Sequence, residues 1–126
     1  MRSRRFNLTA RLQSLVYAFN GLKILLREEH NARIHAVAAC VVLALGYMLQ
    51  LSQNEWIAII LSIGFVSAAE ALNSAIEALA DYTCPEHNTG IKKVKDLAAA
   101  GVLIAALTAL LIAVLIFIPK LYAMLV

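Results

Sequence analysis

Glu70-Ala71-Leu72-Asn73-Ser74-Ala75-Ile76-Glu77-Ala78-Leu79-Ala80-Asp81 continues, without a break, a run from Trp56 to Ala69 that carries no charge. Within it Glu70, Asn73, Glu77 and Asp81 are spaced i, i+3, i+7 and i+11. At about 100° per residue, that spacing places three carboxylates and an amide on one narrow helical stripe. Acids near the end of a membrane-depth helix are costly, so something must compensate them.

The composition puts this helix in lipid. Of the 126 residues, 62% are hydrophobic and 15% charged, against roughly 45–50% and about 25% in soluble domains. A chain of this length builds one domain, and one this apolar cannot hide its side chains in its own core. The net charge of +3 is unevenly placed. Arg2, Arg4, Arg5, Arg11, Lys23, Arg27 and Arg33 precede or open the first long apolar run. Lys92, Lys93 and Lys95 separate the second run from the third. The positive-inside rule then sets the N-terminus and the second connection in the cytoplasm. These clusters suit anionic lipid or a phosphorylated substrate and call for no nucleic acid. Cys40 and Cys84 have no metal-type spacing and suggest no disulfide framework. Arg11, Gln13, Asn20 and Lys23 interrupt any signal-peptide core, so the N-terminal segment is expected to be retained.

Four helices are predicted. Residues 7–27 carry Leu8, Leu12, Leu15, Phe19, Leu22 and Leu26 at helical spacing against a polar remainder, the pattern of an interfacial amphipathic helix. Residues 32–51 and 56–82 are long enough to span roughly 30 Å of hydrocarbon, with Trp56 as an interfacial belt residue. A third apolar helix over 91–122, spanning at 93–119, is expected to end near Pro119-Lys120. Gly101, Ala105, Ala109 and Ala113 recur every four residues on it, and Ala68, Ala71, Ala75 and Ala78 do similar work on its neighbour. Small residues at this spacing let helices approach closely in lipid. Three spans enclose little alone, so a homo-oligomer is expected.

By these length arguments three polar groups meet at the cytoplasmic boundary: Glu28-Glu29-His30-Asn31 with Arg33 and His35, the acidic stripe, and Lys92, Lys93, Lys95 and Asp96. Ion pairs such as Glu29 with Arg33 or Lys95 with Asp81 would account for single residues. They would not account for an acid as deep as Glu70. The mixture fits phosphoryl transfer: carboxylates for Mg²⁺, lysines for phosphate and a positioned base for a hydroxyl nucleophile. A lipid alcohol presents its hydroxyl at the depth of Glu70. No P-loop or G-x-G-x-x-G is present. An ion-conducting oligomer lined by Glu70, Glu77 and Asp81 is the alternative, and lysines facing those acids argue against it. A metal loop built from Cys84, Glu86 and His87 is the weaker third reading.

Glu70-x-Leu72-Asn73-Ser74-Ala75-Ile76-Glu77, followed by Asp81 and Lys95-Asp96, resembles the signature of the small prokaryotic diacylglycerol kinases. The likeness extends from about Ser14 to Tyr122. It implies an all-α integral membrane homotrimer, each subunit with an interfacial helix and three spans, and active sites shared between subunits. It implies MgATP-dependent phosphorylation of a lipid hydroxyl at the bacterial cytoplasmic membrane. On that resemblance Glu70 corresponds to the general base, and Glu29 and Glu77 to ligands of the metal that accompanies the nucleotide. Asp81, Lys95 and Asp96 correspond to nucleotide-side residues, and Asn73, Ser74, Arg33 and His35 to supporting polar or lipid-site residues. Two features depart from the diacylglycerol-preferring pattern. Arg11 falls one position off a basic site of the interfacial helix, and Gln13 replaces a lysine. The segment Glu29-His30-Asn31-Ala32-Arg33-Ile34-His35 resembles the undecaprenol kinase branch, where histidine replaces an acid. Diacylglycerol and undecaprenol therefore both stand as substrates.

Overall fold

The computed structural model describes residues 6–126, all of its regular structure helical. The helices are α1 (Leu8–Glu28), α2 (His30–Met48), α3 (Gln53–Thr83) and α4 (Thr89–Leu125). Arg2, Arg4 and Arg5, which contribute to the charge asymmetry, lie outside the described residues.

Three short connections fix the order of the helices. Asn7 caps α1, its side chain accepting from Thr9 N–H at 3.0 Å. The break between α1 and α2 is the single residue Glu29, extended at φ −97° and ψ 116°. Its N–H donates to Leu25 O and its carbonyl accepts from Arg33 N–H, so backbone pairing passes almost uninterrupted through the bend. Between α2 and α3, Gln50 takes a left-handed φ of 53°. Ser52 then starts α3 with a capping box: Ser52 N–H donates to Glu55 Oε2 at 2.8 Å and Glu55 N–H to Ser52 Oγ at 3.3 Å. Gly46 makes the turn fit, since a Cβ there would stand 2.8 Å from Leu51 Cδ1 and 2.9 Å from Trp56 Cη2. Asn88 caps α4 by accepting from Gly90 and Ile91 N–H.

α3 and α4 pack as a long antiparallel pair, the main contact within the chain. Leu51, Ile59 and Phe117 form its buried centre at one end, with Trp56 and Ile116 against them. Trp56, expected as an interfacial residue, is half-buried in this packing. Lys120 Nζ pairs with Glu55 Oε2 at 3.1 Å across that end.

Two sequence expectations change. α4 runs on to Leu125 with Pro119 inside it, instead of stopping there. Proline deletes one N–H donor, a defect that long membrane helices tolerate. The small residues also divide differently. Ala105 is fully buried (0% exposed), but no atom comes within 4 Å of a Cβ on Gly101. On α3, Ala71, Ala75 and Ala78 face a cleft shared with α1 and not α4.

α2, α3 and α4 are each long and apolar enough to cross a membrane. The chain exposes 10152 Å², against about 6,600 Å² for a folded soluble chain of 13.7 kDa. Leu43, Ile60, Leu61, Leu103, Leu110 and Leu111 contribute to that excess. Serine and threonine hydroxyls along the helices turn inward: Ser14, Ser62, Ser67, Thr83 and Thr108 each donate to the carbonyl four residues back. This hides their polarity from lipid.

Candidate active site

α3 carries the predicted stripe as one continuous helix. Glu70 is 3% exposed, the one buried acid among the described residues. Its Oε1 lies 3.1 Å from His35 Nε2 on α2. The two atoms are within pairing distance, yet no N–H is aligned on the oxygen, and Oε1 keeps no hydrogen bond. One turn on, Asn73 Nδ2 donates to Glu77 Oε1 at 3.1 Å. Asn73 Oδ1 and the Ser74 hydroxyl are buried and unpartnered as well. A buried polar atom without a partner costs about 1–3 kcal/mol, and native structures contain few. Here three fall within five consecutive residues, Glu70 to Ser74.

The rest of the stripe is wetter. Asp81 is exposed and pairs with Lys95 from α4. Lys95 is half-buried and also stands in the field of Glu77. Asp96 pairs with Lys92, one turn before it. Lys95 and Asp96 are thus tied to separate partners. Lys92 belongs to the basic group expected at this boundary, and its link to Asp96 has an i, i+4 spacing. Asp81, Lys92 and Lys95 border a polar cavity of about 320 Å³ beside the α3–α4 loop.

Glu29 stands half-buried at the α1–α2 break. With Glu28, Gly21 and Leu25 it forms one wall of a cleft of about 370 Å³, and Ala71, Ser74, Ala75 and Ala78 form the other. The one-residue connection thus aims Glu29 at the turn of α3 that follows Glu70. Arg33 is exposed, and its side chain forms no ion pair with Glu29; the two meet through the backbone, Arg33 N–H to Glu29 O at 3.3 Å.

Among the described residues no three His, Cys, Asp or Glu side chains gather as a metal site. That overturns the metal loop at Cys84, Glu86 and His87. The Cys84 thiol turns back to Glu86 O at 3.7 Å, and the three side chains do not converge. It also means Glu29 and Glu77 form no closed cage. Glu29 lines the α1–α3 cleft and Glu77 does not, and Mg²⁺ commonly takes one or two carboxylates with phosphate oxygens and water completing its shell.

The family model described as prokaryotic diacylglycerol kinase matches residues 16–117. An undecaprenol kinase of Bacillus subtilis is 41% identical over 109 residues, covering 86% of this chain and 89% of that protein. A diacylglycerol kinase of Haemophilus influenzae is 34% identical over 98 residues, covering 78% and 83%. A diacylglycerol kinase of Escherichia coli K12 is 30% identical over 95 residues, covering 75% and 78%.

Proposed function

The chain belongs to the prokaryotic diacylglycerol kinase family, and from that premise we propose how its residues divide the work of a membrane lipid kinase. The reaction moves the γ-phosphoryl group of ATP to the hydroxyl of a membrane lipid alcohol. The observation that carries the reading is Glu70, a buried acid flanked by unpartnered polar atoms at the end of a membrane span. A lipid hydroxyl arriving there supplies the missing partner. Glu70 accepts its proton as the oxygen bonds to the γ-phosphorus, and the bond to the β,γ-bridging oxygen breaks to release ADP.

Bound Mg²⁺ would supply neutralisation of the charge that develops during the transfer. Glu29 and Glu77 would hold it, with Asn73 orienting Glu77. Lys95 and Asp81, with Lys92 and Asp96, line the nucleotide side. His35, Ser74 and Arg33 face the lipid or its boundary. The active form is a homotrimer with sites shared between subunits, in the bacterial cytoplasmic membrane. The N-terminus and the site lie on the cytoplasmic side, and α1 lies along the interface. Between the two acceptors, the higher identity to the undecaprenol kinase favours undecaprenol over diacylglycerol.

The ion-conducting alternative gains no support. Asp81 and Asp96 are each closed off by a lysine, and the family is one of kinases.

The test is Glu70→Gln in nanodiscs. The isosteric amide leaves assembly unchanged and lowers ATP-dependent lipid phosphorylation by about 10²–10⁴-fold, the range for losing a general base. Activity within a few-fold of the unaltered protein would remove Glu70 from that role.

A further inference from the structure

A buried base that takes up a proton in every turnover must also lose one. Glu70 is 3% exposed, and its own helix offers that proton no way out. The Asn73 amide and the Ser74 hydroxyl can hydrogen-bond, but neither holds an extra proton at neutral pH. Glu77 lies seven residues on, about 10 Å along the axis, and is already engaged by Asn73. α4 brings only Ala109 and Ala113 to the cleft that His35 lines. Glu28 and Glu29 line the separate cleft beside Ser74. That leaves α2. Among the described residues His35 is the one basic side chain within pairing distance of the Glu70 carboxylate, its Nε2 3.1 Å from Oε1. His35 is itself 31% exposed. One imidazole thus connects a buried oxygen to the outside of the bundle, five residues or about 8 Å from the start of α2.

We propose that His35 carries to the aqueous boundary the proton that Glu70 takes from the acceptor hydroxyl. The inference rests on the lipid-kinase reading and adds the step that resets its base. Once the phosphoryl group has moved, Glu70 holds the hydroxyl proton as a neutral carboxyl. Neutral His35 accepts it at Nε2, the Glu70 O–H bond breaking as the N–H bond forms, which leaves a carboxylate beside an imidazolium. The imidazolium then releases a proton from Nδ1 to water, and exchange with solvent restores the starting tautomer. No electron changes hands, and the net transfer is one proton from the buried carboxyl to water. An imidazole suits this task because it gains and loses protons readily near neutral pH, which an amide or a hydroxyl does not. The missing alignment between Nε2 and Oε1 is no obstacle, since catalytic hydrogen bonds are often loose before substrate binds and tighten in the complex. His35 acts through Glu70 and not on the substrate, as a positioning residue for the proton.

The experiment assays the full chain in nanodiscs with labelled ATP and undecaprenol, and in parallel with dioleoylglycerol. His35→Gln keeps beside Glu70 an amide that can hydrogen-bond but cannot carry a proton onward. It is expected to lower kcat by at least about tenfold, short of the 10²–10⁴-fold or so of a lost general base, with KM for ATP and lipid unchanged. His35→Ala is expected to lose as much, and to regain turnover with added imidazole in proportion to the neutral form of that base. His35→Gln, whose side chain fills the site, should gain little from it. A role in packing alone would leave both readouts unmoved, because glutamine would suffice and free imidazole would not act. An unchanged kcat in His35→Gln overturns the inference, and so does a loss in His35→Ala that imidazole does not restore. If one variant does not assemble, the other decides. An unaltered protein that phosphorylates neither lipid removes the kinase reading itself, and the relay with it.

Discussion

Asn73 stands between two roles, with its Nδ2 on Glu77 and its carbonyl oxygen buried without a partner. If Glu77 holds the metal, Asn73 is the residue that orients it, and losing such a support costs about 10–100-fold in metal affinity. Asn73→Ala should therefore raise the Mg²⁺ concentration for half-maximal activity by about tenfold. Glu77→Ala should raise it further or abolish turnover, and the double variant should be no worse than Glu77→Ala alone. A Mg²⁺ titration of the three proteins checks this, and strictly additive losses would uncouple the two side chains. Gly46 is a packing residue of the opposite end. Alanine is favoured over glycine in a helix by about 0.5–1 kcal/mol, but overpacking a tight contact costs about 1–3 kcal/mol. With Leu51 and Trp56 both inside 3 Å of the new Cβ, Gly46→Ala should be destabilising by about 1 kcal/mol. The midpoint of SDS-driven unfolding reports it.

At the scale of elements, the spans were legible because apolar length is a simple signal, and α2, α3 and α4 lie where hydropathy placed them. The ends were less legible. Pro119 reads as a stop, yet α4 passes through it, since one missing N–H leaves the rest of the ladder intact. The start of α3 lies in Ser52-x-x-Glu55, a capping box that begins the helix ahead of the expected Trp56. Removing that cap with Ser52→Ala should cost about 0.5–2 kcal/mol and leave the chemistry at the other end of α3 unchanged, which paired stability and activity assays would separate. For the site, helical spacing delivered the stripe Glu70, Asn73, Glu77 and Asp81 because a period of 3.6 is local information. The approach of His35 to Glu70 was not legible, since it depends on how α2 crosses α3. The pairing of Lys95 with Asp81 was expected from the sequence and is present, whereas that of Lys92 with Asp96 was available only as an i, i+4 spacing with competitors.

As a whole molecule, the chain leaves a row of small residues exposed on α3, the part nearer Glu77 forming one wall of the α1 cleft. Gly64, Ala68, Ala71, Ala75 and Ala78 alternate at four- and three-residue steps and are all exposed, and a Cβ on Gly64 would meet nothing within 4 Å. The proposed homotrimer would give Gly64 and Ala68 a partner, because small residues allow backbones to close in lipid. Gly64→Leu and Ala68→Leu should then dissociate the assembly, seen as a lower mass by native mass spectrometry, while the α3–α4 pair stays helical by circular dichroism. A trimer surviving both substitutions would move the interface elsewhere.

The lengths of the helices have a mechanical consequence. At 1.5 Å per residue α2 is about 28 Å long, whereas α3 and α4 reach about 46 and 55 Å. Only α2 matches an ordinary bilayer, and the Glu55–Lys120 pair ties α4 to α3 at one end. The longer pair must lean or protrude, and a thicker bilayer would draw it upright. Glu70 and His35 sit on helices of different length, so uprighting one against the other changes the distance between them. Turnover is therefore expected to depend on the acyl-chain length of the host membrane, which activity assays in nanodiscs of graded lipid length would check.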